Sequence, residues 1–170
     1  MSGQAQPLPL VLIGPMGAGK TKIGKRVARA LDVPFIDTDK RIVAEHGPIT
    51  EIFAQQGEQV FRAVERDVVA AALKESAVVS LGGGAVLDPD SQRDLAGLTV
   101  VLLTVTAEAV SARIRTDKRP LLKDGPGEWQ RIYEERRPLY ERLATITFDT
   151  SSEPIEGIAD RIAAWAEGHA

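Results

Sequence analysis

The sequence predicts an α/β fold: a five-stranded parallel sheet with helices on both faces. Three observations predict it. Five short runs rich in Val, Ile and Leu recur along the 170 residues. Most of them are continuous rather than alternating, the pattern of parallel strands covered on both sides. Helical patterns fill the intervals, and strand–helix alternation is the signature of a doubly wound sheet.

The first run is LPLVLI at 8–13, and a helix follows on which Ile23, Val27 and Leu31 recur every four residues. The second is PFID at 34–37. The stretch 40–59 reads as short helices broken at Gly47-Pro48, since the residue before a proline is driven out of helical backbone. Val60, Phe61, Val64, Val68 and Ala71 then mark a longer helix. AVVSL at 77–81, LTVVLLTV at 98–105 and TITFD at 145–149 supply the remaining strands. Ile155, Ile158, Ile162 and Trp165 form the last helical stripe, with Ser152 as its expected start. The segment RIRTDKRPLLKDGPGE at 113–128 breaks the alternation. Long irregular stretches of this kind are often binding loops or lids.

Bulk properties exclude several classes. The chain has no cysteine and two histidines, so thiolate chemistry and a Cys- or His-built metal cluster are not expected. A net charge of −3 offers no whole-chain field for nucleic acid or an anionic membrane. The N-terminal residues lack the basic and apolar regions of a signal peptide, and no run reaches the roughly 18 apolar residues of a membrane span. A cytoplasmic location is expected, with no nucleic-acid or membrane partner.

The strongest motif is GPMGAGKT at 14–21, which fits G-x-x-x-x-G-K-[ST] between the first strand and the first helix. In such a loop, formed by Gly14, Pro15, Met16, Gly17, Ala18 and Gly19, the backbone N–H groups of all but the proline can turn toward phosphate. Lys20 reaches the β- and γ-phosphates and Thr21 offers its hydroxyl to Mg²⁺. The motif specifies a nucleoside triphosphate, not its use. The guanine-reading N-K-x-D signature is absent and no second large domain exists to be driven by hydrolysis. Phosphoryl transfer from ATP to a small acceptor is the economical reading.

Candidate acceptor residues follow. Asp37 and Asp39 in IDTD fall at the carboxyl edge of the sheet, where open α/β folds bind ligands. One can serve the magnesium shell and the other the acceptor hydroxyl; alternatively, Asp39 only caps the next helix. Arg62 and Glu65 in FRAVE share a helix face. They form either an ordinary surface pair or a rigid anion grip. Of Arg136 and Arg137, adjacent on one helix, at most one enters a given pocket. Arg119 in KRPLL stands ready to approach the phosphates, or belongs to a basic surface loop.

Taken together, GPMGAGKT, DTD, GEQVFRAVE, SLGGGAV, RPLL and RRPLY make the chain resemble the shikimate kinases along essentially its whole length. The resemblance implies a P-loop kinase fold with a mobile lid, ATP and Mg²⁺ as cofactors, and shikimate as the acceptor. It implies that Asp37 helps hold Mg²⁺ through water and that Asp39, near the reacting hydroxyl, acts with Lys20 and Arg119 in catalysis. By the same token Arg62 and Arg136 grip the substrate carboxylate, Gly83 and Gly84 lie against its ring, and Arg113 lies beside adenine. The expected organisation is one domain over 1–170 acting as a monomer. Its core would span 8–110 and 130–167, with an acceptor-binding segment at about 37–65 and a lid at about 113–127. Relative to the family pattern, the stretch around EHGPITEI is about a residue short and the lid is also short.

The triplet Gly82-Gly83-Gly84 admits two explanations. It is a bare floor that lets a polyhydroxylated ring approach the backbone, or a turn that uses positive φ. Rival functions remain at this stage: another small-molecule kinase, of gluconate, nucleoside or nucleotide type, or a nucleotide-binding regulatory module without catalysis.

Overall fold

A computed structural model describes residues 5–117 and 126–168. Five strands form one sheet: β1 (Leu10–Ile13), β2 (Phe35–Asp37), β3 (Val78–Ser80), β4 (Thr99–Thr104) and β5 (Ile146–Asp149), in the order β2-β3-β1-β4-β5. Every pairing is parallel, as the continuous apolar runs predict. Leu10, Val11 and Leu12 are fully buried at the centre, between Val78, Val79 and Ser80 on one side and Thr99, Val100 and Val101 on the other.

Eight helices connect the strands among the described residues: α1 (Lys20–Leu31), α2 (Thr38–His46), α3 (Ile49–Gln56), α4 (Glu58–Ala72), α5 (Pro89–Leu95), α6 (Ala107–Asp117), α7 (Pro126–Leu143) and α8 (Ile155–Ala166). Crossovers in such sheets are right-handed. The β1–β2 connection runs in the opposite direction to the later ones, so α1 lies on the face opposite α4, α5 and α7. α8 packs alongside α1, and their facing residues Ile23, Val27, Ile158 and Ile162 are all fully buried.

The chain breaks between α2 and α3 at Gly47-Pro48, as expected, with Gly47 ending one helix and Pro48 preceding the next. Two expectations need correction. Ser152 does not start α8; Pro154 occupies the N-cap position with an extended ψ of 139°, which delays helical backbone until Ile155. The buried stripe of α4 runs through Phe61, Glu65, Val68, Val69 and Ala72. Val60 and Ala71 each lie one residue off that stripe and face solvent.

Two separate hydrophobic clusters result. The large one surrounds the sheet and takes Val69, Ala72 and Leu73 from the end of α4. The small one joins Ile42, Ile52, Phe61 and Val68 from α2, α3 and α4. α4 therefore belongs to both. No helix among the described residues is long and apolar enough to cross a membrane.

Candidate active site

The loop after β1 is built for close backbone packing. Gly14 has φ 145°, and a Cβ there would fall 2.3 Å from the Leu103 carbonyl oxygen of β4. Side chains from four places donate to the loop's carbonyls. Lys20 Nζ donates to the Gly14 and Pro15 oxygens at 2.6 and 3.0 Å. Trp129 Nε1 donates to the Met16 oxygen at 2.8 Å, Arg113 to that of Gly17 at 2.8 Å, and the Thr150 hydroxyl to that of Ala18 at 2.9 Å. The loop leads into the N-terminus of α1, where backbone N–H groups favour an anion. Desolvation lowers the Lys20 pKa to about 8; Asp39 and Asp37 oppose that shift and Arg136 adds to it.

The two aspartates divide their duties. Asp37, not Asp39, is the N-cap of α2: its Oδ1 accepts from the Lys40 amide at 3.2 Å. Its other oxygen lies 3.4 Å from the Thr21 hydroxyl. Asp39, in the first turn, is left to face the cavity. Burial first, and then the Asp37 charge, raise its carboxyl above the usual value, against the pull of Lys20 and Arg62.

The glycine triplet follows β3 and meets a charged side chain at each position. A Cβ on Gly82 would fall 2.7 Å from Asp39 Oδ1, one on Gly83 3.3 Å from Arg136 Nη1, and one on Gly84 2.7 Å from Arg62 Nη2. None of the three has positive φ. The turn explanation is therefore excluded; close approach is the reason for all three.

Arg62 is held by Glu65, whose Oε1 accepts from Nη1 at 2.7 Å and whose side chain is only 6% exposed. This is more than an ordinary exposed surface pair. Burial pushes the Glu65 carboxyl up, and Arg62 counteracts it. On α7, Arg136 lines the cavity while Arg137 points out toward Glu141 at 3.4 Å. Arg113 is on α6; besides Gly17 it bonds Thr150, in the loop after β5. Arg119 lies outside the described residues, as does most of the expected lid.

Asp39, Arg62, Arg136 and the triplet line one cavity of about 590 Å³, and Pro15 and Met16 of the loop open into it. That size is ordinary for a small-molecule site, roughly 300–1,000 Å³. The rest of its wall was not singled out from the sequence: Phe53 and Phe61 on one side, Trp129, Tyr133 and Tyr140 on the other. A signal existed. Trp129, Tyr133, Arg136 and Tyr140 are spaced four, three and four apart, one face of a helix. The rings of Trp129 and Tyr133 lie 5.3 Å apart and those of Tyr133 and Tyr140 6.3 Å. Tyr140, 1% exposed, donates to the Gly83 oxygen at 2.7 Å.

The chain is similar to known proteins of one family. The family model described as "Shikimate kinase" matches residues 16–167. The shikimate kinase of Mycobacterium avium (strain 104) is 49% identical over 146 residues, 83% of each chain. That of Thermobifida fusca (strain YX) is 44% identical over 157 residues, 90% of this chain and 91% of the relative. The solved structure of the Acinetobacter baumannii shikimate kinase in complex with shikimate superposes with a TM-score of 0.84. It is 32% identical, covering 92% of this chain and 90% of its own.

Proposed function

This chain belongs to the shikimate kinase family, and we propose from that premise how its cavity transfers the γ-phosphoryl group of ATP to the 3-hydroxyl of shikimate. The products are 3-phosphoshikimate and ADP, a step of chorismate and aromatic amino acid biosynthesis. The observation that carries the reading is the shared cavity: two guanidiniums and one carboxylate face the mouth of a phosphate-binding loop.

Arg62 and Arg136 hold the acceptor carboxylate. Their guanidiniums flank consecutive glycines, Gly84 and Gly83, so both can reach one anion bound there. The ring then lies against the backbone of Gly83 and Gly84, where no side chain intervenes. Glu65 keeps Arg62 from swinging into solvent, which reduces the entropy lost on binding. Asp39 accepts a hydrogen bond from the reacting hydroxyl and orients it. Burial and the Asp37 charge raise its pKa, the direction that makes a carboxylate a stronger base.

On the donor side the loop amides of residues 14 and 16–19 and the Lys20 ammonium hold the phosphates. Phosphoryl transfer depends mainly on position and charge stabilisation, which these groups supply. Arg113 and Thr150 steady the loop through its carbonyls, and Arg113 is also the residue proposed to meet adenine. Arg119 adds a charge over the phosphates when the lid closes and water is expelled.

Thr21 and Asp37 are the pair suited to Mg²⁺. Both offer hard oxygens, and few protein ligands suffice where phosphates and waters complete the shell. When bound, the ion neutralises phosphate charge. The protein works as a cytoplasmic monomer, without nucleic-acid or membrane partners, and its acceptor segment is the unit around α2, α3 and the start of α4.

ADP release measured over a panel of acceptors tests the reading. Turnover with shikimate and none with gluconate or nucleosides is expected. Turnover with one of the others alone, or ATP binding without any acceptor-dependent turnover, overturns it.

A further inference from the structure

Trp129 touches both halves of the site. Its ring lines the acceptor cavity beside Tyr133, while its Nε1 donates to the Met16 carbonyl of the phosphate loop at 2.8 Å. It is 2% exposed, so water does not substitute readily for that bond. The other loop carbonyls are held by Lys20, Arg113 and Thr150, none of which lines the cavity. Trp129 is the cavity residue among these donors.

The bond has a directional consequence. In a trans peptide the carbonyl oxygen and the N–H lie in one plane and point in opposite directions. Fixing the Met16 oxygen against Trp129 therefore aims the Gly17 N–H the other way, away from α7. A shift of the indole re-aims that donor. The indole in turn packs on Tyr133, Tyr133 on Tyr140, and the Tyr140 hydroxyl holds the Gly83 carbonyl on the acceptor floor. Arg136 stands on the same helix.

We propose that Trp129 is a positioning residue that couples the two half-sites, aligning a phosphate-loop amide through Met16 in response to what fills the acceptor cavity. The coupling is reciprocal, as any binding linkage must be. This inference rests on the proposed acceptor site, but its nucleotide arm does not require shikimate turnover.

The test is calorimetry on the full chain with Trp129→Phe, which keeps an aromatic wall and removes the donor. ADP affinity in the presence of Mg²⁺ should fall about three- to tenfold, the worth of one neutral hydrogen bond. The factor by which ADP tightens shikimate should shrink toward one, whatever the variant's shikimate affinity without nucleotide. Wild-type ADP affinity, or an unchanged coupling factor, overturns the proposal. A second measurement stands even if that variant folds poorly. The chain has two tryptophans, Trp129 and Trp165, so Trp165→Phe leaves Trp129 as sole reporter. Its emission should respond to ADP alone and to shikimate alone; silence toward ADP overturns the coupling. Failure of the wild-type protein to phosphorylate shikimate would instead sink the functional reading, leaving the ADP arm readable.

Discussion

The guanidinium of Arg62 occupies the place that a side chain at position 84 would take: a Cβ on Gly84 would fall 2.7 Å from Nη2. Gly82 stands in the same relation to Asp39, at 2.7 Å. The triplet is thus a set of seats, each shaped for one functional group.

Gly84→Ala and Gly82→Ala should consequently fail in different ways. The atoms displaced are side-chain termini, so the fold survives. Gly84→Ala moves Arg62 and should raise the shikimate KM by about ten- to a hundredfold, the loss of a charge-assisted contact of roughly 1.5–3 kcal/mol. Gly82→Ala moves Asp39 and should act mainly on kcat. Steady-state kinetics separate the two; equal effects on both constants in both variants would show that the seats are not distinct.

Removing either arginine should weaken the carboxylate grip outright. Arg62→Ala and Arg136→Ala are each expected to lower kcat/KM for shikimate by about ten- to a hundredfold or more. Arg136→Lys should also be impaired, because an ammonium cannot reproduce the two-pronged guanidinium contact. Wild-type kinetics for both alanine variants would remove the clamp.

Lys20 should take up a proton when nucleotide binds. Its pKa of about 8 reflects desolvation without a bound polyanion, and phosphate would restore the charged form. With that value, uptake on ADP binding should be about a quarter of a proton at pH 7.5 and about nine-tenths at pH 9. Calorimetry in buffers of different ionisation enthalpy measures this directly. No change in uptake across that interval would contradict it.

Asp39→Asn should trade activity for stability. Loss of the acceptor's hydrogen-bond partner is expected to lower kcat by roughly 10²–10⁴-fold. The folded pKa of Asp39 is raised above its unfolded value. Its protonated form therefore favours folding at low pH, and that contribution is lost as pH rises through the folded pKa. At pH 7 the amide should melt at or above the wild-type temperature. The difference should close as pH falls below about 4, where both states protonate. Thermal melts at several pH values decide it.

Much of this was legible because strand burial and loop chemistry leave local marks. The run LTVVLLTV became β4 because a central parallel strand needs apolar residues on both faces. The phosphate loop was readable from its glycines and from Lys20. Which of Asp37 and Asp39 caps α2 was not, since either can cap a helix and only the course of β2 into α2 decides. Nor was the aromatic wall. Trp129 and Tyr133 follow a helical period that a sheet-facing core would produce equally well. Only the placement of α7 beside the Gly83 carbonyl distinguishes a pocket from a core. Spacing alone left Arg62 and Glu65 as either a surface pair or a rigid anion grip, and the burial of Glu65 separates the two.

The division of hydrophobic packing into two clusters, with α4 rooted in the larger and projecting into the smaller, has a bearing on descent. Arg62 travels with the minor cluster, while the nucleotide machinery stands on the major one. Substitutions among Ile42, Ile52 and Phe61 can retune how the acceptor is grasped without touching the engine beneath. A scaffold partitioned in this way lets natural selection change a kinase's customer while keeping its currency.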